Sequence, residues 1–373
     1  MKIKHSLNFA MLVAISLSCF GNQTSAEESA KEPIRPKVQI AILLDNSGSM
    51  SGLINQARSE LWKIVNEFAT AKQGDLSPDL QVALYHYGSP PATQLVPLTD
   101  DLDKVSEALF GINIGGGSEF CGQAIDISAG GLKWSESDRD LKLIFIAGNE
   151  PFSQGPVDYR QACKTAIEKG IIVNTVHCGN SLPDDWKEGA MLADGKSINI
   201  NHNQAVVNIP APQDEKIRNL GIELNKTYVA YGRGGRAGKQ RQELQDSNAL
   251  GASPAAAQQR AVAKAGLLYK NSSWDLSDAI KEGKVKLEEM DAEELPENMK
   301  KMTLVERQKY ISSLQEKRTE IQKQIRTLND KRTKFVAKKR KEMAAATGAK
   351  TLDAALIEAI REQAKAKKFT FGK

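Results

Sequence analysis

The fold is decided by a short stretch, Val38-Gln-Ile-Ala-Ile-Leu-Leu44, which runs directly into Asp45-Asn-Ser-Gly-Ser-Met50. Its first part is almost entirely apolar, as a central parallel strand must be when helices cover both faces of its sheet. Three further runs have the same character, at 80–86, 141–147 and 171–177. Amphipathic segments separate these runs, and this alternation predicts a doubly wound, mostly parallel α/β sheet of six strands.

Asp45, Ser47 and Ser49 form an Asp-x-Ser-x-Ser motif at the carboxyl end of the first predicted strand. Open α/β sheets bind their ligands at this edge. One carboxylate and two hydroxyls are hard oxygen donors, which suit Mg²⁺, Mn²⁺ or Ca²⁺ rather than zinc or copper. The alternative is structural, because Ser, Asp and Asn in front of a helix often close turns or cap the helix.

The chain resembles the von Willebrand factor type A family over residues 37–231, where this motif follows an apolar strand and precedes a long helix. In that family the motif belongs to a metal-ion-dependent adhesion site (MIDAS). The resemblance therefore implies a bound divalent cation, with Mg²⁺ expected first and Ca²⁺ or Mn²⁺ as alternatives. It also implies recognition of a protein partner that offers an Asp or Glu to the cation.

Two further loops complete such a site in the family, and both differ here. Ser118 follows three glycines and stands where the family has a Thr, while Glu119 adds a carboxylate that the ordinary pattern lacks. In the third loop, Gly148 stands at the position of the usual Asp. We expect Glu119, Asn149 or Glu150 to supply the missing oxygen, directly or through a water. The alternative is a degenerate site that binds no metal.

Residues 1–26 have the pattern of a signal peptide. Lys2 and Lys4 precede an apolar core that is too short to cross the ~30 Å hydrocarbon layer of a membrane. Small residues then predict cleavage after Ala26. We therefore expect an exported protein, periplasmic or secreted, and an uncleaved anchor is the alternative.

Export permits disulfides, but only Cys121, Cys163 and Cys178 follow the predicted signal peptide, so at most one bridge can form among them. Cys163 begins a predicted helix that should pack near the strand carrying Cys178. We therefore expect a Cys163–Cys178 disulfide, with a bridge from Cys121 as the alternative. His177 precedes Cys178, but neighbours in a strand point to opposite faces and do not readily form a nucleophile–base pair.

The sequence gives little support for catalysis. It has no His-Glu-x-x-His pair, no Gly-x-Ser-x-Gly elbow and no phosphate-binding Walker loop. We therefore expect a binding protein rather than an enzyme. Two alternatives stay open, a metal-assisted envelope hydrolase and a metal-free scaffolding protein that uses its basic tail.

The net charge of +5 conceals a division of the chain, because residues 281–373 carry +9 and residues 27–280 carry −6. Residues 232–275 begin with a Gly/Arg run and continue with Ala, Gln and Ser, which predicts a flexible linker or insertion. Two arginines without interleaved aromatic residues are too few for RNA binding, and we expect no nucleic-acid partner.

Residues 276–373 predict a basic, mainly helical region. Apolar residues from Ile311 to Phe335 follow a coiled-coil-like heptad pattern, and Arg318 and Arg332 occupy the two vacant seam positions. This helix could pair with a partner chain, but a hairpin with the helix that begins at Leu352 is simpler. A solvated face explains the basic residues most simply. Contact with an anionic membrane surface, another protein or the acidic body is the alternative.

Overall fold

The computed structural model describes residues 34–200, 209–347 and 352–372, and from Arg35 onward these residues belong to one compact unit. The predicted signal peptide, residues 1–26, lies outside the described residues. Within the described residues, no helix is both long enough and apolar enough to cross a membrane.

The centre of the molecule is a sheet with the order β4-β3-β1-β5-β6-β7. Neighbouring strands are parallel except for β3 and β4, which are antiparallel. The prediction of a six-stranded, mostly parallel sheet is therefore confirmed within the described part of the chain. The strands are β1 (Lys37–Leu44), β2 (Ala71–Gln73), β3 (Asp79–His86), β4 (Thr93–Thr99), β5 (Leu141–Gly148), β6 (Ile171–Cys178), β7 (Ser197–Ile200) and β8 (Phe369–Phe371).

Helices cover both faces of the sheet, and a predominantly helical region follows it, as the sequence predicted. The helices are α1 (Ser51–Phe68), α2 (Leu102–Phe110), α3 (Cys121–Gly131), α4 (Tyr159–Glu168), α5 (Asp184–Leu192), α6 (Asp214–Asn225), α7 (Gly232–Ala252), α8 (Pro254–Lys264), α9 (Leu276–Lys281), α10 (Glu297–Lys300), α11 (Leu304–Thr347) and α12 (Leu352–Ala366).

The two faces of the sheet form two separate apolar cores. Side chains of one strand alternate between the faces, so Ile40 belongs to one core while Ala41 belongs to the other. The first core receives α1, α2, α6 and α8, and the second receives α3 and α4. All four central strands therefore have to be apolar, which explains the runs seen in the sequence.

Residues 232–275 are not a flexible linker, and this prediction is wrong. They form α7 and α8, which pack on each other and on α1. The glycines of α7 permit close packing: a Cβ atom at Gly238 would lie 2.3 Å from Trp274 Cγ, and one at Gly235 would lie 2.9 Å from the Ala230 carbonyl carbon. The helix buries Gly and Gln rather than an apolar stripe, so the sequence shows little helical periodicity there.

A buried ionic cluster fixes α7 and α8 to the body. The Arg260 guanidinium lies 4.7 Å from the Trp62 ring centroid, donates to Asp103 Oδ1 at 2.7 Å and also contacts Asp246. Lys264 Nζ lies 2.7 Å from Asp246 Oδ2. Arg260 and Lys264 are each only 1% exposed, so these ion pairs are shielded from solvent.

The seam of α11 packs on the same chain. Arg318 Nη1 lies 2.8 Å from Asp275 Oδ2 and 2.9 Å from Asp278 Oδ1, and Arg332 Nε lies 2.6 Å from Asp214 Oδ1. The two polar seam positions therefore bind carboxylates of the body. This packing accounts for the heptad pattern without a partner chain.

The C-terminal segment returns to the body. Instead of forming the expected hairpin along α11, α12 packs against β7 and α1. The side chains of Gln363 and Asn174 exchange hydrogen bonds of 2.7 and 3.1 Å. After α12, β8 pairs antiparallel with β2.

Candidate metal centre

Asp45 lies where β1 and β5 end side by side. Its amide donates to the Ala147 carbonyl at 2.9 Å, which places the carboxylate at the carboxyl edge of the sheet. The side chain is fully buried. Oδ1 accepts a hydrogen bond of 2.7 Å from the Ser47 amide, whereas Oδ2 is buried and accepts no hydrogen bond from the described part of the chain. A buried carboxylate oxygen without a partner is costly.

The two motif hydroxyls lie beside this carboxylate. Ser47 Oγ and Ser49 Oγ are 3.2 Å apart, and the Ser49 hydroxyl donates to Asn149 Oδ1 at 3.3 Å. Asn149 therefore joins the first loop to the third, and its expected role as an oxygen ligand of a cation stays a prediction. The structural alternative holds in part, because Asp45 Oδ1 closes a turn with the Ser47 amide, whereas the N-terminus of α1 at Met50 receives no hydrogen bond from a described side chain.

The glycine-rich second loop is held against the first by backbone hydrogen bonds. The Gly115 amide donates to the Asn46 carbonyl at 2.7 Å, and the Gly117 amide donates to the Gly88 carbonyl at 2.9 Å. Gly116 has φ +98°, and a Cβ atom there would lie 1.8 Å from the Gly88 carbonyl oxygen, so only glycine fits.

The second loop places Ser118 and Glu119 differently. Glu119 is only 5% exposed, and its amide donates to Gln154 Oε1 at 3.1 Å. Ser118 is half-buried, and in the described part of the chain no hydrogen bond joins its hydroxyl to Asp45, Ser47 or Ser49. Glu119 belongs to the centre, since the Ser47 side chain and the charge of Asp45 act on its carboxylate, while Ser118 stays at the margin.

Gly148 has no room for a side chain. A Cβ atom there would lie 2.5 Å from Tyr87 Oη, 3.2 Å from Asp45 Cβ and 3.3 Å from Asp45 Oδ2. Tyr87 is 2% exposed, and its hydroxyl donates to the Ala147 carbonyl at 2.8 Å. From the sequence, Tyr87 could line the site or, more simply, pack within its strand; its contact with Gly148 exists only in the folded chain.

The carboxylates of the centre repel one another. Burial raises the pKa of Asp45, and the charge of Glu150 adds to the rise. Burial also raises the pKa of Glu119, with further contributions from Asp45 and Glu150. Hydrogen bonding by the Ser47 side chain offsets part of both rises. Neither Asp45 nor Glu119 forms an ion pair with a described Lys, Arg or His side chain, so the centre carries negative charge without compensation.

The donor set fits a hard divalent cation. Asp45, Ser47, Ser49 and Glu119 offer only oxygen atoms, and Asn149 and Glu150 lie at the rim with oxygens of their own. In the described residues no group of three His, Cys, Asp or Glu side chains could hold a metal ion by itself. A cation here would therefore need the hydroxyl and amide oxygens and water as well, which is usual for Mg²⁺ and Ca²⁺.

The expected Cys163–Cys178 disulfide is wrong. Cys121, Cys163 and Cys178 are all buried and free. Cys163 belongs to the core on one face of the sheet and Cys178 to the core on the other, so the sheet separates them. The alternative pairing of Cys121 is not formed either. Burial raises the pKa of the Cys163 and Cys178 thiols to about 12, so neither is a reactive thiolate.

Comparison with known proteins agrees with this architecture. Residues 39–209 match the family model of the von Willebrand factor type A domain, which confirms the resemblance over slightly less than half of the chain. No curated protein is similar enough in sequence to count as a relative.

Several solved structures are similar to the domain. Crystalline BatB, a conserved hypothetical protein from Bacteroides thetaiotaomicron, is 18% identical, covers 44% of this chain and 90% of its own, and has a TM-score of 0.35. An aerotolerance-related membrane protein from Bacteroides fragilis is 18% identical, with 44% and 93% covered and a TM-score of 0.33. Proximal thread matrix protein 1 from the mussel byssus, solved with a zinc-occupied MIDAS motif, is 13% identical, with 46% and 43% covered and a TM-score of 0.38.

Proposed function

We propose that the chain is an exported binding protein, which recognises a protein partner through a divalent cation held at the sheet edge. The observation that carries this proposal is the Asp45 carboxylate, which is fully buried, has an unpaired oxygen and faces no described positive charge. Such a group is unfavourable in a folded protein unless a cation completes it. Mg²⁺ is the expected ion, and Ca²⁺ and Mn²⁺ are the alternatives.

Asp45, Ser47, Ser49 and Glu119 would hold the cation, with Asn149 and Glu150 contributing directly or through water. The bound ion would supply an electrophilic centre that keeps water-filled coordination positions at the surface. Ser49 and Asn149 lie at the exposed side of the centre, since their hydrogen bond is accessible to solvent. An Asp or Glu of a partner could therefore approach the ion from this side.

Binding is favoured over catalysis by the surroundings of the centre. His86 Nδ1 lies 3.1 Å from Asn46 Oδ1, and burial lowers the pKa of His86. His177 Nδ1 lies 2.9 Å from Asn199 Oδ1. Both imidazoles are thus engaged by amides rather than by the carboxylates of the centre. We retain the metal-assisted hydrolase as the rival, to be tested by turnover that depends on Glu119 or Glu150.

Calorimetry with Mg²⁺, Ca²⁺ and Mn²⁺ tests the cation site. Wild-type protein and an Asp126→Ala control, which removes an exposed carboxylate on α3, should bind the ion equally well. Asp45→Ala should not bind, because it removes the buried carboxylate. Flat titrations for all three proteins would contradict the proposal. Capture from an envelope extract, with and without EDTA, then tests whether a protein partner requires the ion.

A second surface supports contact with an anionic membrane. Lys331, Lys334, Lys338 and Lys341 of α11 are exposed and follow steps of three, four and three residues, which places them on one helix face. We call this set the lysine stripe. Lysines near an anionic lipid surface each contribute about 1 kcal/mol to binding. We propose that the lysine stripe holds the protein near such a surface while the sheet edge binds its partner.

A further inference from the structure

The third loop cannot supply a carboxylate from position 148. The Tyr87 hydroxyl occupies the space beside Gly148, 2.5 Å from where a Cβ atom would lie. Tyr87 is itself fixed, because it is 2% exposed and donates to the Ala147 carbonyl. Any side chain at 148 would have to displace this buried ring or the Asp45 side chain. Tyr87 and Gly148 are therefore complementary, and together they exclude an acidic residue at this point.

Glu119, in the second loop, offers a carboxylate that the third loop lacks at position 148. It is 5% exposed, and its backbone amide is held by Gln154. The Ser47 side chain acts on its carboxylate, which therefore belongs to the same centre as Asp45. The charges of Asp45 and Glu150 act on it, and no described base does. Asp45 Oδ2 is buried and accepts no hydrogen bond from the described residues, which is a second and independent observation that points to a ligand at this centre.

We propose that Glu119 supplies the second negative charge of the cation site, because Tyr87 and Gly148 leave no room for an acidic side chain in the third loop. Glu119 therefore determines the affinity for a divalent cation. This inference rests on the proposed function, because it needs a cation at Asp45. Glu119 acts as a ligand or through one bound water. Tyr87 is a positioning residue, which keeps position 148 free of a side chain.

The test is calorimetry of the full chain with Mg²⁺ alone and with Ca²⁺ alone. Glu119→Gln keeps the shape of the side chain but removes its charge, and should weaken cation binding at least about tenfold, since the number of charged ligands sets the affinity of such sites. Glu119→Asp keeps the charge and should retain part of the affinity. Glu168→Gln, on the exposed end of α4, is the matched control and should bind like wild type.

A rescue experiment tests the exchange itself. Tyr87→Phe removes the obstructing hydroxyl, so the triple variant Tyr87→Phe/Gly148→Asp/Glu119→Gln should recover cation affinity to within about threefold of wild type. Gly148→Asp/Glu119→Gln, with Tyr87 kept, should not recover. Melting curves of every variant in EDTA show which of them fold. If the triple variant does not fold, the comparison of Glu119→Gln with Glu119→Asp decides the inference.

The outcomes separate the inference from the function on which it rests. If Glu119→Gln binds the cation with the same affinity as wild type, the inference is overturned while the Asp45 site stays intact. Rescue by Gly148→Asp with Tyr87 present also overturns it. If neither wild type nor Asp45→Ala binds Mg²⁺ or Ca²⁺, the proposed function and the inference are both overturned.

Discussion

Two groups of buried acidic side chains in this protein differ in how their charge is balanced. In the helical region, Asp246 contacts both Arg260 and Lys264, and all three belong to α7 and α8. The Asp246 side chain is 25% exposed. At the sheet edge, Asp45 and Glu119 are more deeply buried, with exposures of 0% and 5%, and have no basic partner among the described residues. The described residues therefore supply a compensating charge in the helical region and none at the sheet edge.

The titration behaviour of the two groups follows this difference. Burial would raise the pKa of Asp246, but the charges of Lys264 and Arg260 outweigh it and lower the pKa to about 2. At Asp45, burial is opposed by hydrogen bonds alone, and the pKa is raised. Burial acts in the same direction on both carboxylates, but the net shifts of their pKa values are opposite. The basic partners of Asp246 account for this difference.

The largest effect should come from breaking the paired cluster. Arg260→Met removes the cation that pairs with buried Asp103 and leaves only Lys264 paired with Asp246, so the free energy of unfolding should fall by about 3–5 kcal/mol. Arg236→Met removes an exposed arginine of α7 and should change it by less than about 0.5 kcal/mol. Chemical denaturation measures both. A similarly small loss for Arg260→Met would show that the cluster is not needed for stability.

A smaller effect of opposite sign is expected at the sheet edge. In EDTA at neutral pH, Asp45→Asn should raise the free energy of unfolding by about 1–2 kcal/mol, because it removes an uncompensated buried charge. With its pKa raised in the folded state, Asp45 contributes stability below its ordinary pKa of 3.8, and this contribution is lost as pH rises through the folded value. The advantage of the variant should therefore shrink as the pH falls.

Adding Mg²⁺ should make the wild type more stable than Asp45→Asn, because the ion binds the folded wild type and not the variant. At an ion concentration of about 100 times Kd, the wild type gains about 2.7 kcal/mol. Asp126→Asn is the matched control, since it changes an exposed carboxylate. Equal unfolding energies for wild type and Asp45→Asn, with and without the ion, would remove the contrast between the two acidic groups.

The smallest effect on stability should follow changes to exposed charges, which need no partner. Replacing all four residues of the lysine stripe with Gln should alter the free energy of unfolding by no more than about 0.5 kcal/mol. The same change should weaken binding to anionic phospholipid vesicles by about 1 kcal/mol for each lysine. Replacement of the exposed Lys301, Lys309, Lys317 and Lys323 by Gln is the control of equal charge. Equal loss in both variants would show a response to net charge and not to the stripe.

The parts of the structure that sequence could predict are those with a local pattern. The apolar run before Asp45 predicted the central strand, and the spacing of Asp45, Ser47 and Ser49 predicted that they converge. The alternatives for Tyr87, lining the site or packing within its strand, stayed open, because only the folded chain brings its hydroxyl to Gly148.

The helical region shows the same limit. Helix α7 buries glycine and glutamine instead of an apolar stripe, so its sequence pattern predicts a linker. Arg318 and Arg332 were identified as polar seam residues, but their carboxylate partners Asp275 and Asp214 lie far away in the sequence. The sequence therefore marked that these positions were unusual without showing what they bind.

The pairing of β8 with β2 has a consequence for how the molecule is assembled. Phe371 lies opposite Ala71, so the last described residues complete a ladder that began near the end of α1. Contacts between residues so distant in the chain form slowly, because a very large loop must close first. The chain must therefore be synthesised as far as Phe371 before β2 and β8 can pair. A fragment that ends at residue 209, the border of the family match, would lack the pairing of β2 with β8.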